Sequence, residues 1–511
     1  MKVSISLPPL VNKAFAFLCL IPALSACKGV VTDATIQPAP KVGVIWTAPS
    51  NIPYRKKGYE LKEYFFQGVA NSYSSDQPLT SDGKWSIEAS GETAEYMSRM
   101  IVYRPEDPAE FNGTVIVEWM NVSGGTDTPT EWFMTQTELM RQGYAYVGVS
   151  AQYMGVEGGP NALPSVAPVC LSVKCIMKPR YGSLVHPGDS FSYDIYWHAA
   201  ELVRNPQEVN PLGELVPQHV IGAGQSQSAH RLISFLNSFG HEVGDLFDGF
   251  FIHSRLGSGI PELGGGGSAP LSQSPQADIN TPVAVQIRDD LTLPVLNLQT
   301  ETDQITLNAG VSRQPDTAVF RLWEVAGSAH ADLYVSSTAL FDTGETLAAA
   351  KMKETRSPIP VLTRCKANIN SAPQHHFVSK AAIRALNDWV VTGIAPASKD
   401  RLEINEAGTA FIVDEFGNAL GGIRSPYTDV PIARMSGLNQ ETRDRNGLCF
   451  LYGSLEKFDT EKLKSLYSSN ANYVSLVEAA VDRAIDDGTL LAEDAHLIIS
   501  AAQELEFTNL D

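Results

Sequence analysis

No cluster of lysine or arginine interrupts this 511-residue sequence, and 57 acidic against 38 basic residues leave a formal net charge of -19. Neutralising nucleic-acid phosphates takes a basic face, so the composition argues against a nucleic-acid partner. Cysteine is scarce, at six residues. No second cysteine pair or histidine pair falls at ligand spacing, so no zinc site is expected, and nothing calls for a metal or an organic cofactor. Long apolar runs are lacking as well, the run from Ala14 to Ala23 being too short to span a bilayer. There is no internal repeat. What remains, 43% hydrophobic and 19% charged residues, is ordinary globular composition with room for one large or two medium domains.

At the N-terminus Lys2 and Lys13 precede the run Ala14-Phe-Ala-Phe-Leu-Cys-Leu-Ile-Pro-Ala23, the pattern of a secretory signal. Leu24-Ser-Ala-Cys27 follows and resembles the lipobox of bacterial lipoproteins, which implies a signal over residues 1–26 and lipidation of Cys27. A plain signal peptide cleaved near Ala26 is the alternative. Several acyl chains on Cys27 would hold the chain on a membrane surface of the bacterial cell envelope, periplasmic or outer-membrane, with residues 27–45 as a tether. Beyond the signal lie Cys170, Cys175, Cys365 and Cys449. In an exported chain an even count suggests two disulfides. Three connectivities exist, and Cys170 with Cys175 and Cys365 with Cys449 is the preferred one.

The rest reads as alternating strands and helices. Tyr59 to Gln67 and Glu95 to Tyr103 alternate polar and apolar residues as antiparallel edge strands do. Thr114 to Trp119, a helix from Glu131 to Arg141 and Tyr144 to Val149 form a βαβ unit, which implies a parallel sheet with helices on its faces. Further strands are expected at Gln218 to Ala223, Gly249 to Ile252, Pro294 to Leu298 and Ala318 to Val325, with helices at Ser192 to Val203 and Phe377 to Val391. Residues 46–400 read as the main domain. Its long Pro- and Gly-rich segment at about 151–190 reads as a lid or pocket wall, and Gly257 to Pro275 as a flexible loop. Residues 401–511 read as an extension packed on the main domain, with a strand pair over Arg401 to Val413 and three short helices over Thr460 to Glu504.

The chemistry centres on His219-Val-Ile-Gly-Ala-Gly-Gln-Ser226-Gln-Ser-Ala-His-Arg231, an apolar run, a Gly-x-Ser-x-Ser turn and an amphipathic segment. A sharp strand-to-helix turn with small neighbours projects one hydroxyl, that of Ser226, and resembles the nucleophile elbow of α/β-hydrolases. Ser228 stands where that pattern has glycine. A serine hydroxyl needs an imidazole to take its proton and a carboxylate to orient the imidazole. The expected order is acid, then histidine, on later loops. Gln299-Thr-Glu301-Thr-Asp303 follows one strand and Ala326-Gly-Ser-Ala-His330-Ala-Asp332 the next, so His330 is the candidate base. Asp303 is preferred as the acid, with Glu301 the alternative, able instead to shape the pocket or accept a main-chain hydrogen bond. Among the other histidines, His230 one turn after Ser226 points away from the exposed hydroxyl along the helix, His198, His375 and His376 are assigned structural roles, and His186 and His253 are candidates for a pocket wall. The N–H groups of Gln227 and Val122, the latter in Asn121-Val-Ser-Gly-Gly125, are candidate oxyanion donors.

Together with Phe111 to Gly125, Arg180-Tyr-Gly-Ser-Leu-Val-His-Pro-Gly-Asp189 and Glu324 to His330, these stretches resemble a group of exported bacterial α/β-hydrolase-domain proteins, from about Gly58 to near the C-terminus. The resemblance implies an α/β-hydrolase fold and serine hydrolysis of small-molecule carboxylic esters by Ser226, His330 and an acid. A surface binding protein that keeps the fold without turnover, and an acyltransferase using the same residues, are the other readings.

Overall fold

A computed structural model describes residues 34–47, 52–159, 170–257, 284–358, 364–438 and 448–505. The signal over 1–26, Cys27 and most of the Gly257 to Pro275 loop lie outside the described residues.

A nine-stranded sheet carries the main domain. Its strands are β1 (Thr35–Pro38), β2 (Tyr59–Ser74), β3 (Glu88–Pro105), β4 (Thr114–Trp119), β5 (Ala145–Val149), β6 (His219–Gln225), β7 (Gly249–His253), β8 (Val295–Thr300) and β9 (Phe320–Val325). They stand in the order β1-β2-β3-β5-β4-β6-β7-β8-β9. Strands β1, β2 and β3 pair antiparallel, and β3 pairs antiparallel with β5. From β5 to β9 every pairing is parallel.

The parallel strands are short and apolar because both of their faces are covered. Alternate residues go to opposite cores: Val115, Val117 and Phe250 pack with α2 (Ser192–Arg204) and α3 (Gln227–Phe239). Ile116 and Phe251 pack on the other side with α1 (Thr130–Arg141) and α6 (Gln374–Thr392). Gly222 lets β6 and β7 close, since a Cβ there would stand 2.4 Å from the Phe250 ring. Between α3 and α6 lie two short helices, α4 (Glu301–Ile305) after β8 and α5 (Leu333–Ser336) after β9.

The described part of the 151–190 segment is anchored at several points. Glu63 of β2 accepts hydrogen bonds from Arg180 at 2.7 Å and Tyr181 at 3.0 Å. Asp189 accepts from Gln152 at 3.1 Å and pairs with Arg231 of α3 at 3.2 Å. Both expected disulfides are formed, Cys170 to Cys175 and Cys365 to Cys449.

After α6, which ends where Gly393 adopts φ 73° and donates to Trp389 O, the chain departs from one expectation. Arg401 to Val413 pairs with itself at one antiparallel bridge only, Ile404 with Phe411, where Asn405 N–H donates to Ala410 O at 2.9 Å and Ile412 N–H to Glu403 O at 2.8 Å. Gly408 turns the chain between them at φ 68°. Beyond the bridge the Leu402 N–H goes to the Glu324 carboxylate at 2.8 Å and the Glu403 N–H to Leu420 O at 2.9 Å, so no longer ladder forms. A two-stranded ladder forms later, between β10 (Ala433–Ser436) and β11 (Ser454–Lys457). Three helices close the chain, α7 (Thr460–Leu466), α8 (Asn470–Asp486) and α9 (Ala495–Gln503), around Leu463, Tyr473, Val477, Val481 and Ile498. Asp494 joins this group to the sheet layers through Arg141 of α1 at 2.9 Å and Lys380 of α6 at 3.3 Å.

Candidate active site

The turn between β6 and α3 holds Ser226 at φ 63° and ψ -122°, a conformation non-glycine residues rarely adopt and one that costs on the order of 1–3 kcal/mol. Two hydrogen bonds hold it there: Ser226 N–H donates to His253 O at the end of β7 at 2.9 Å, and His230 N–H donates to Ser226 O at 3.1 Å. The small neighbours are required. A Cβ at Gly224 would stand 3.0 Å from Leu232 and 3.1 Å from the Ser228 main chain. Ser228 itself is buried, and its hydroxyl has no hydrogen-bond partner among the described residues.

The structure brings Asp303, His330 and Ser226 into one line. His330 Nε2 is 2.8 Å from Ser226 Oγ, and His330 Nδ1 is 2.6 Å from Asp303 Oδ1. A carboxylate can only accept, which fixes the proton on Nδ1 and leaves Nε2 free to accept from the hydroxyl. Asp303 sits in the first turn of α4, where Thr300 caps the helix and donates its N–H to Asp303 Oδ2 at 2.6 Å. Burial alone would raise the Asp303 carboxyl, but the His330 imidazole and the Thr300 donors outweigh it and hold it below its ordinary value. The His330 loop is held in turn by Thr302, whose hydroxyl accepts the His330 N–H at 3.1 Å and donates to Gly437 O at 2.6 Å.

Glu301, the alternative acid, is turned to other partners. Its oxygens accept the N–H groups of Gly327 at 2.5 Å and Gly437 at 2.7 Å, so it ties the His330 loop to the strand end at β10. Burial pushes its carboxyl up to about 7 against those donors. The acid in hydrogen-bond contact with His330 is Asp303.

Gln227 is the first residue of α3, so its N–H has no acceptor within the helix. In the loop after β4, Asn121 N–H is taken by Thr128 O and Ser123 N–H by Asn121 Oδ1, whereas the Val122 N–H has no acceptor among the described residues. The Asn121 side chain donates to Gln225 O at 3.1 Å, which fixes this loop against the elbow.

Of the remaining histidines, His198 meets Tyr96 Oη at 2.7 Å and His376 meets Ala349 O at 2.8 Å. His186 is buried and bonded to Ala151 O at 3.0 Å. His253 is not part of a wall but a link in a buried chain that sequence reasoning missed. Glu131 Oε1 lies 2.9 Å from His253 Nδ1, His253 Nε2 lies 2.8 Å from His375 Nε2, and His375 Nδ1 lies 3.2 Å from Asp332 Oδ2. Burial pushes the Glu131 carboxyl up to about 8 and holds the His253 imidazole down at about 3. Glu131, His253, His375 and Asp332 thus form one buried hydrogen-bonded chain. The chain joins the carbonyl that holds Ser226 to the loop that carries His330. His253 and His375 are 122 residues apart in sequence, so no local spacing signals their contact.

A family model described as "Alpha/beta hydrolase domain" matches residues 32–500. No curated protein matches the chain. Among solved structures, esterase Est22 is similar over 55% of this chain and 76% of its own, at 16% identity and TM-score 0.30. A putative dienelactone hydrolase from Klebsiella pneumoniae subsp. pneumoniae MGH 78578 is similar over 54% and 92%, at 12% identity and TM-score 0.29. A thermostable esterase from Pseudomonas putida ECU1011 is similar over 49% and 66%, at 12% identity and TM-score 0.27.

Proposed function

The chain belongs to the alpha/beta hydrolase domain family, and from that premise we propose that it is a serine hydrolase cleaving carboxylic esters through an acyl-enzyme. One observation carries the proposal: His330 bridges Ser226 Oγ and Asp303 Oδ1 at 2.8 and 2.6 Å, with Ser226 on a strained turn at the end of a parallel strand. Ser226 Oγ attacks the ester carbonyl carbon while His330 Nε2 takes its proton. The developing oxyanion is received by the N–H groups of Gln227 and Val122. As the tetrahedral intermediate collapses, His330 returns the proton to the departing alkoxide and Ser226 is left acylated. Water, deprotonated by His330, then attacks the acyl carbon and frees Ser226. Asp303 keeps the Nδ1 proton in place and stabilises the imidazolium throughout.

A panel of p-nitrophenyl esters tests the reading. The full chain releases nitrophenolate with saturable kinetics, and Ser226→Ala lowers kcat by roughly 10⁴-fold or more. Release that is unchanged in Ser226→Ala would overturn the assignment.

We also propose export with removal of residues 1–26 and lipidation of Cys27. Expressed with its leader, the chain partitions into the detergent phase and Cys27→Ala does not; equal partitioning of the two would contradict the anchor.

A further inference from the structure

Among the described residues four arginines are buried, and three of them are paired. Arg99 meets Glu63 at 2.8 Å and Asp127 at 2.9 Å, Arg180 meets Glu63 at 2.6 Å, and Arg231 meets Asp189 at 3.2 Å. The fourth is Arg255, 2% exposed and without an ion pair among the described residues. Its Nη2 donates to Val285 O at 2.8 Å and its Nε to Leu256 O at 3.4 Å. A guanidinium has five N–H bonds, and the Nη1 group has no acceptor among the described residues. Burial, with no opposing charge, pulls this guanidinium down to about 10. An unpaired charge in a protein interior is costly, and buried charges are ordinarily paired.

The backbone of Arg255 lies close in sequence to the carbonyl that holds the Ser226 turn. Arg255 lies two residues past His253, whose carbonyl receives the Ser226 N–H at 2.9 Å. Two residues of chain reach no more than about 7 Å beyond that carbonyl. Ser226, Asp303 and Arg255 all follow the C-terminal ends of neighbouring parallel strands, β6, β8 and β7, the edge at which open α/β sheets bind ligands. Between His253 and Arg255, Ser254 adopts φ 50° and its buried hydroxyl also lacks a partner among the described residues. Backbone strain of this kind collects at ligand sites, where the surroundings over-determine it.

We propose that Arg255 is the anion-recognition residue of this site, and that the ester it serves carries a carboxylate. The inference rests on the serine-hydrolase reading for its ester and on Arg255 alone for its charge. A carboxylate supplies acceptors in the plane of the guanidinium and completes the vacant Nη1 group with charge-assisted hydrogen bonds.

The test pairs two esters of equal chain length, mono-p-nitrophenyl glutarate and p-nitrophenyl valerate, with the wild-type chain, Arg255→Met and Arg255→Lys. Wild type prefers the glutarate in kcat/KM by roughly ten- to a hundredfold, as one charged hydrogen-bonded contact provides. Arg255→Met, which removes an uncompensated charge and is expected to fold, brings the ratio near unity, and Arg255→Lys falls between. Independently of any turnover, free glutarate raises the wild-type melting temperature above that in chloride of equal ionic strength, and it does not do so in Arg255→Met. A wild type with neither the preference nor the shift overturns the proposal, whatever the variants do. A glutarate shift in a protein whose Ser226 resists a fluorophosphonate would instead keep the anion site and remove the hydrolase reading.

Discussion

At the scale of single residues, the meeting of Ser226 with His330 was legible in the sequence because the turn pattern and the loop order are local signals. Which carboxylate meets His330 was harder to read, since Glu301 and Asp303 stand two residues apart at one strand end. What separates them is remote: Gly437, 136 residues on from Glu301, offers its N–H to the Glu301 carboxylate, and no spacing in the sequence foretells that contact. Two variants follow from the difference. Asp303→Asn cannot hold the His330 Nδ1 proton and lowers kcat roughly ten-thousandfold. Glu301→Gln turns an amide N–H toward one of two glycine N–H groups, which costs about 1–3 kcal/mol of stability but leaves most of the turnover below its melting point. Ester kinetics and thermal unfolding of the two variants separate the roles, and full activity in Asp303→Asn would reverse them. The Ser228 hydroxyl has no partner among the described residues, so Ser228→Ala keeps kcat and melting temperature close to wild type. A Ser228→Ala variant without activity would move the nucleophile.

At the scale of elements, periodicity was enough for most of the layer structure. The apolar run Thr114 to Trp119 is β4 to the residue, and the helix expected over Phe377 to Val391 extends to Gln374–Thr392. Arg401 to Val413 pairs with itself only at Ile404 and Phe411, because the Leu402 and Glu403 N–H groups go to Glu324 and Leu420, contacts that no local pattern announces. Likewise, nothing in α1, β7 or α6 separately announces that Glu131, His253 and His375 meet. That meeting has a pH consequence. Folded, the Glu131 carboxyl is raised to about 8 from its ordinary 4.5, so the neutral form favours the native state. Its contribution is complete below the unfolded value and is lost as pH rises through the folded one. Glutamine imitates the neutral acid and can donate to His253 Nδ1. Melting temperatures of Glu131→Gln minus wild type therefore climb between about pH 5 and pH 9. A flat or falling difference would mean that Glu131 is charged in the chain.

At the scale of the whole molecule, a parallel sheet with helices on both faces and antiparallel strands at its edge were legible from the strand and helix alternation, whereas the docking of the C-terminal helices through Asp494 depends on Arg141, 353 residues away. The two disulfides act at different ranges. Cys365 and Cys449 enclose 84 residues of separation and Cys170 and Cys175 only 5. Loop-closure entropy then assigns about 4 to 5 kcal/mol to the long clasp and about 2 kcal/mol to the short one. Denaturant midpoints of the two double-alanine variants rank accordingly, and the reverse ranking would show that the clasp does not restrain the unfolded chain. The central claim, that Ser226 is the nucleophile of a working hydrolase, is tested most directly by treating the full chain with a fluorophosphonate, measuring its intact mass and mapping the adduct. One equivalent of label on the peptide that contains Ser226, absent from Ser226→Ala, is the result expected. A folded protein that stays unlabelled, or an adduct on any other residue, would contradict it.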